Sequence, residues 1–422
     1  MLKKEIIIIK KPNWMHICLV VLLVISLFLT QTKLNTANYA LLYNIQKIFI
    51  VIVAFLGIYY NSEKIVLKKQ ETITYAIILV PYIVILVLSI IEAAMSGAIS
   101  VRYTVSEASG PFVMTLAAIL VYKYIAKNII DLLFWALFIN NSIYVVLFVI
   151  KYGMSGFLHF IEIADDYQNF SLELHEITFI WGLLIIYYFA TELYKIEKFK
   201  FVCSIIFCVL GFKRILIGAI IITIILMLFL RSRFKLGKIS NIKAGIIIAG
   251  IVMFICCVAW LIISSTSLID QLADMFGINL MSRGHRVQAN GTLGIYGRLD
   301  GKYKLAFTYL GKGFGYVNLQ MINYAHSLKS FATTGFHNDI LKYYIDLGCI
   351  PWIILFLNLT IFNAKRIYKY FSEQKSIGYL MITGITLVCW TTDNLATYPN
   401  YLFAFATVFI TILLNRSSEK VK

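Results

Sequence analysis

The chain has 422 residues, 60% of them hydrophobic and only 14% charged, and its mean hydropathy is +0.82. A water-soluble domain of this length needs more polar surface to cover its core, so that class is excluded. A formal charge of +17 raises the question of nucleic acid as a partner, and the placement of the charge answers it.

Apolar runs recur along the chain, most of them long enough at 1.5 Å per residue to approach or cross a hydrocarbon core of about 30 Å. Spans are predicted at 14–30, 42–60, 73–95, 111–126, 129–150, 176–192, 200–211, 214–230, 244–264, 338–361, 377–391 and 398–414. The alternation of a membrane barrel, over about ten residues per strand, is absent. The expectation is an all-α polytopic transmembrane bundle of about twelve spans. The first run follows Lys3, Lys4, Lys10 and Lys11 without a small-residue cleavage site after it, and reads as an uncleaved anchor.

With the N-terminus inside, 24 of the 38 basic residues but only eight of the 21 acidic ones fall in cytoplasmic segments. The excess charge is thus the positive-inside bias that orients helices, and nothing is left to support nucleic acid. The division follows: residues 1–264 carry nine spans with short loops, 265–336 form one long extracytoplasmic loop, and 337–422 carry three more spans. Aromatics such as Tyr303, Phe314 and Tyr316 predict that the long loop packs as a small cap. All seven cysteines fall in predicted spans, and no metal-ligand spacing appears.

The stretch 199–230 admits two readings. As one helix it buries Lys213 and Arg214 near mid-membrane, at about 2.5–3.5 kcal/mol each. As a hairpin turning at Gly211 and Phe212 it delivers both cations to the outer face, and parity along the rest of the chain favours this. Arg214 then either snorkels to headgroups or aims a guanidinium at a lipid-linked phosphate from a helix N-terminus. Lys213 reads as a headgroup anchor beside it. In the long loop, Arg283, Arg286 and Arg298 sit among four lysines. The patch fits anionic headgroups, and its arginines fit a diphosphate bidentately. The run GKGFG at 311–315 reads as a plain turn, since no Lys-Ser/Thr follows it.

His337 opens a span, in HNDILKYYIDLGCIPW. A neutral imidazole there is placed to take a proton from a hydroxyl just above the membrane; alternatively it caps the helix, a task Asn338 or Asp339 does better. Lys342 and Asp346 share a face with Asn338 and are expected to form an internal ion pair. Asp165 and Asp166 fit a metal or a sugar hydroxyl, and an exposed acidic loop explains them equally well.

The order of GFKR at 211–214, YGRLDGKYKLAFTYLGKGFG at 296–315 and HNDILKYYIDLGCIPW at 337–352 resembles the Wzy-type O-antigen and capsular polysaccharide polymerases. The related O-antigen ligases share much of that order. The resemblance covers the second half of the chain, and Phe212-Lys213 depart from the family's usual Gly-Ser-Arg. It implies glycosyl transfer from a polyprenyl-diphosphate-linked glycan, without metal or cofactor, at a bacterial cytoplasmic membrane with both termini inside. Arg214 and Arg298 would bind the diphosphate and His337 would sit at the catalytic centre. Arg283 and Arg286 match no fixed motif and are assigned to substrate by charge alone; Lys213, Asn338 and Asp346 are the further expected substrate-binding residues. Expected partners are the lipid-linked glycan and the bilayer, with a chain-length regulator and a flippase.

Two rivals remain. A ligase differs only in its acceptor, on which these residues are silent. A flippase or transporter should bury ionisable residues deep in its spans, whereas here charges are expected at span ends, with Glu92 and Asp346 only modestly buried.

Overall fold

The computed structural model describes residues 14–31, isolated positions between 48 and 59, 68–158, 172, 174–211, 213–235, 309–327, 338–391 and 393–414. The predicted span 244–264, and most of span 42–60 and of the 265–336 loop, lie outside the described residues. So do Asp165 and Asp166. The structure is 88% helical, with no strand among the described residues.

Helix α1 (Trp14–Gln31) packs on α4 (Ile129–Leu158). Helices α2 (Lys69–Ser96) and α3 (Val101–Leu120) form a hairpin. Gly97, at φ +60, ends α2, and the Ser100 hydroxyl accepts the Tyr103 N–H to start α3. A π-helical turn, Val121–Ile125, continues α3. The Ile125 carbonyl meets His16 Nε2 at 2.8 Å, which places the start of α1 at that end of the bundle.

Helix α5 (His175–Ala190) is apolar all round and buried along nearly its whole length, as such a helix must be. Four helices surround it: α6 (Lys198–Leu210), α7 (Arg214–Lys235), α12 (Glu373–Trp390) and α13 (Pro399–Leu414). The Trp181 and Phe207 rings stack at 5.2 Å, and a Cβ placed on Gly211 would strike Thr178, so α6 runs antiparallel to α5. Leu216 then packs on Gly182, one turn further along α5. The chain therefore reverses between Leu210 and Arg214, as the hairpin reading expects; Phe212 itself lies outside the described residues.

Among the described residues four segments are long and apolar enough to cross a membrane: Lys69–Ser96, Val101–Ile125, Ile129–Leu158 and Cys349–Tyr370. Their outward faces expose Val80, Val84, Val87, Val146, Ile350 and Ile354. In water such a surface is a liability, and against hydrocarbon it is what the medium requires.

The predicted span 338–361 is two helices. Helix α9 (Asp339–Leu347) ends at Gly348, whose φ of +79 no L side chain adopts comfortably, and α10 (Cys349–Leu357) starts afresh. A π turn, Asn358–Phe362, leads into α11 (Asn363–Tyr370). Helix α8 (Tyr316–Ser327) precedes α9 in the chain and packs against it.

The two ends of the bundle differ in chemistry. One holds surface ion pairs built on lysine: Lys123–Glu71 at 2.6 Å, Lys200–Asp131 at 2.7 Å and Lys195–Glu192 at 2.8 Å. The other gathers buried carboxylates and amides from α2, α5, α9, α13 and the α12–α13 connection.

Candidate functional site

The carboxylate-rich end is assembled from helix termini. The Asn338 side chain caps α9 by accepting the Leu341 N–H at 2.9 Å. Asp339 follows, fully buried, and its Oδ2 accepts the Ala396 N–H at 2.7 Å. That bond ties the start of α9 to the connection between α12 and α13. In the same connection Asp393 accepts the Asn394 N–H at 2.8 Å and the Tyr398 hydroxyl at 2.9 Å. Its second oxygen faces Lys213 Nζ at 3.8 Å. Lys213 also lies over the Phe179 ring, 5.8 Å from its centroid. Glu176, near the start of α5, accepts Asn400 Nδ2 at 2.9 Å from the start of α13. The N-termini of α5, α7, α9 and α13 therefore converge on one connection, each lending partial positive charge to that end.

Two turns along α9, Asp346 is fully buried, and both of its oxygens are engaged. Gly315 N–H donates to Oδ2 and Val317 N–H to Oδ1, each at 2.9 Å. The Asp346 carbonyl accepts from Lys312 and Gly313, both at 3.0 Å, and Gly311 N–H donates to Glu92 Oε1 at 3.2 Å. The GKGFG turn thus wraps the last turn of α9. Glycine is required where the two backbones touch, because a Cβ on Gly311 would lie 2.0 Å from the Asp346 carbonyl oxygen. Gly313 and Gly315 also hold φ of +103 and +94.

This geometry corrects the expected ion pair between Lys342 and Asp346. The carboxylate turns outward to the backbone N–H groups of the loop and away from its own helix. Lys342, 1% exposed, sits instead with Nζ 4.8 Å from the Phe314 centroid and makes no hydrogen bond among the described residues. Phe314 packs on Tyr343 at 5.3 Å, which stacks on Trp390 at 5.3 Å. The expectation that Glu92 and Asp346 are only modestly buried is also overturned: they are 7% and 0% exposed, and Asp339 and Lys342 join them inside. The glycine turn folds over Glu92, Lys342 and Asp346, and the α12–α13 connection covers Asp339.

Of the residues singled out in the sequence, Lys213 and Asn338 are brought to the same connection, and Asp346 lies deeper beneath the turn. Arg214 opens α7 with its side chain outside the description, and His337, immediately before Asn338, lies outside the described residues, as do Arg283, Arg286 and Arg298. Sequence reasoning did not assign Asp393, Glu176 or Asn400 to the site, and considered Asp339 only as a cap. The polar run TTDNLATYPN between two apolar spans was the available signal for Asp393 and Asn400. Among the described residues no group of histidine, cysteine and acidic side chains is arranged to hold a metal.

Neither protein-family models nor curated proteins give a match to this chain.

Proposed function

We propose that the protein is a polymerase of the Wzy type, joining polyprenyl-diphosphate-linked oligosaccharide repeat units at the outer face of a bacterial cytoplasmic membrane, both termini inside. The observation that carries this reading is the meeting of two helix starts distant in sequence. Lys213, just before Arg214, pairs with Asp393, and Asp339, two residues after His337, bonds Ala396 in the same connection. The segments that carry two separate family motifs are thereby anchored, through Lys213 and Asp339, to one connection of the bundle.

In the reaction, the anomeric carbon of the growing glycan loses its bond to the diphosphate oxygen and gains one to a hydroxyl of the next lipid-linked unit. The hydroxyl proton passes to His337. The diphosphate departs with negative charge growing on it, stabilised by Arg214 and Arg298 together with the converging helix N-termini. Arg283, Arg286, Lys213 and Asn338 are assigned to binding substrate. Asp346 supports the site by holding the glycine turn. No metal or cofactor enters the scheme; a chain-length regulator and a flippase are the proposed partners. A ligase of the same superfamily would use the same groups on another acceptor.

A second reading has a specific observation in its favour. The buried row Asp339, Lys342 and Asp346 is the kind of intramembrane charge that transporters carry. Surface polysaccharide separates the readings. Alanine at Arg214, Arg298 or His337 should leave single repeat units at the surface in place of polymer. Loss of a flippase leaves no surface glycan, and full-length chains from all three variants at normal expression would remove the site assignment.

A further inference from the structure

The lysines at the lysine-rich end are not alike. Lys123, Lys195 and Lys200 each meet a carboxylate, at 2.6, 2.8 and 2.7 Å. Lys69, at the start of α2, and Lys369, in the last turn of α11, make no ion pair among the described residues. Each faces an aromatic ring, and it is the same ring. Lys69 Nζ lies 5.9 Å from the centroid of Tyr370, and Lys369 Nζ lies 5.4 Å from it. Two ammonium groups from helices distant in sequence are thus gathered no farther apart than the sum of those distances.

Their surroundings add more positive charge than negative. Lys375 Nζ stands 5.7 Å from the ring centroid of Phe371, the next residue along, and donates to the Leu413 carbonyl at 2.8 Å. Lys68, Lys365 and Arg366 are exposed close by in the sequence. Against these stand Glu71, which Lys123 holds, and Glu373 in the first turn of α12. An ammonium has three N–H donors, and a ring face offers them no lone pair. Two such groups held together repel, and an anion between them turns the repulsion into attraction.

The level of this cluster in the bundle points to the kind of anion. Ala364 and Ile367 bury one side of α11, while Tyr368 and Tyr370 are 44% and 40% exposed beside the basic residues. Exposed tyrosines with lysine and arginine at a helix end mark the headgroup layer of a bilayer. Further along the same two arms of the bundle, α2 and α10 present Val80, Ile83, Ile353 and Ile354 outward. A phosphate seated at Tyr370 therefore has apolar helix faces beneath it, which acyl chains would cover and free phosphate would not.

We propose that Lys69 and Lys369 bind the phosphate of an anionic phospholipid, in the leaflet at the lysine-rich end, so that the lipid ties the start of α2 to the end of α11. Orientation by charge accounts for lysines on this side of the membrane. It does not account for two of them meeting at one ring without a carboxylate. This lipid site does not depend on the glycan chemistry.

The test titrates the full-length protein in detergent with phosphatidylglycerol and counts bound lipid by native mass spectrometry. Phosphatidylcholine serves as the uncharged lipid, and inorganic phosphate as the headgroup anion without chains. Phosphatidylglycerol should bind more tightly than phosphatidylcholine, and inorganic phosphate should compete poorly with it. Lys69→Gln and Lys369→Gln should each weaken the first phosphatidylglycerol about fivefold, the worth of one lysine beside an anionic lipid. Lys69→Arg, which keeps the charge, should retain binding, and Lys195→Gln, at the same end, should leave it unchanged. An equal loss in Lys195→Gln would make the attraction a diffuse field and overturn the site. So would silence of either Lys69→Gln or Lys369→Gln, equal binding of the two lipids, or inorganic phosphate competing as well as the lipid itself.

Discussion

Asp339 and Ala396 are joined by a 2.7 Å hydrogen bond from backbone N–H to carboxylate, and this bond docks the first turn of α9 on the α12–α13 connection. Removing the carboxylate leaves a buried N–H without an acceptor. Asp339→Ala is therefore expected to destabilise the bundle by about 1–3 kcal/mol. Asp339→Asn, which keeps an acceptor oxygen, should lose less. Thermal unfolding of the purified protein in detergent, followed by tryptophan fluorescence, checks the order.

Asp346 supports two such bonds, to Gly315 and Val317. Its alanine variant should lose about 2–4 kcal/mol and should also free the glycine turn. Limited proteolysis between 309 and 327 reports the second effect. A variant that unfolds earlier but is cut no faster would show that the turn is held by something other than this carboxylate.

The turn has its own test. Gly311→Ala places a methyl group 2.0 Å from the Asp346 carbonyl oxygen, and Gly348→Ala places one 2.5 Å from the Tyr309 carbonyl oxygen at a positive φ. Both contacts are backbone, so neither side can swing away, and each substitution should cost about 2–3 kcal/mol. Gly218→Ala, with open space at its Cβ, is the control and should be neutral.

Lys213 separates structure from activity. Its contact with Asp393 is long, and Asp393 keeps its bonds to Asn394 and Tyr398 without it. Lys213→Ala should therefore change stability by less than about 1 kcal/mol, while shortening surface polysaccharide chains if the ammonium meets substrate. Equal falls in melting temperature and chain length would assign Lys213 a purely structural part.

Sidedness is open to direct chemical test. Tyr309, 80% exposed, belongs to the carboxylate-rich end, and Lys195 to the lysine-rich end. In a cysteine-free background, Tyr309→Cys should react with a membrane-impermeant maleimide on intact cells and Lys195→Cys should not. The reverse pattern would invert the bundle.

Helix positions were legible because burial in a bilayer writes itself into run length: α1, α2, α12 and α13 lie where their apolar stretches predict. The reversal after Leu210 was legible too, because two cations at mid-membrane made the alternative costly. The break at Gly348 was not, since one glycine within an apolar run suits a continuous helix as well as a kink. The surroundings of Asp346 were hidden for another reason. Its partners are main-chain N–H groups, which every non-proline residue carries, so no side-chain pattern announces them. Asp393 and Lys213 are far apart in sequence, and their meeting depends on how α7 and α12 pack around α5.

The acidic and basic side chains on α9 bear on how the protein is made. A segment holding Asp339, Lys342 and Asp346 is a poor substrate for insertion, each charge resisting transfer by about 2.5–3.5 kcal/mol. The N–H that donates to the Asp339 carboxylate lies 57 residues downstream, and so is not yet translated when α9 leaves the ribosome. Helix α9 must therefore wait at the interface and settle only once the last hairpin, α12–α13, has been synthesised. Ribosomes stalled before Ala396 should hold a nascent chain in which α9 is still accessible to water.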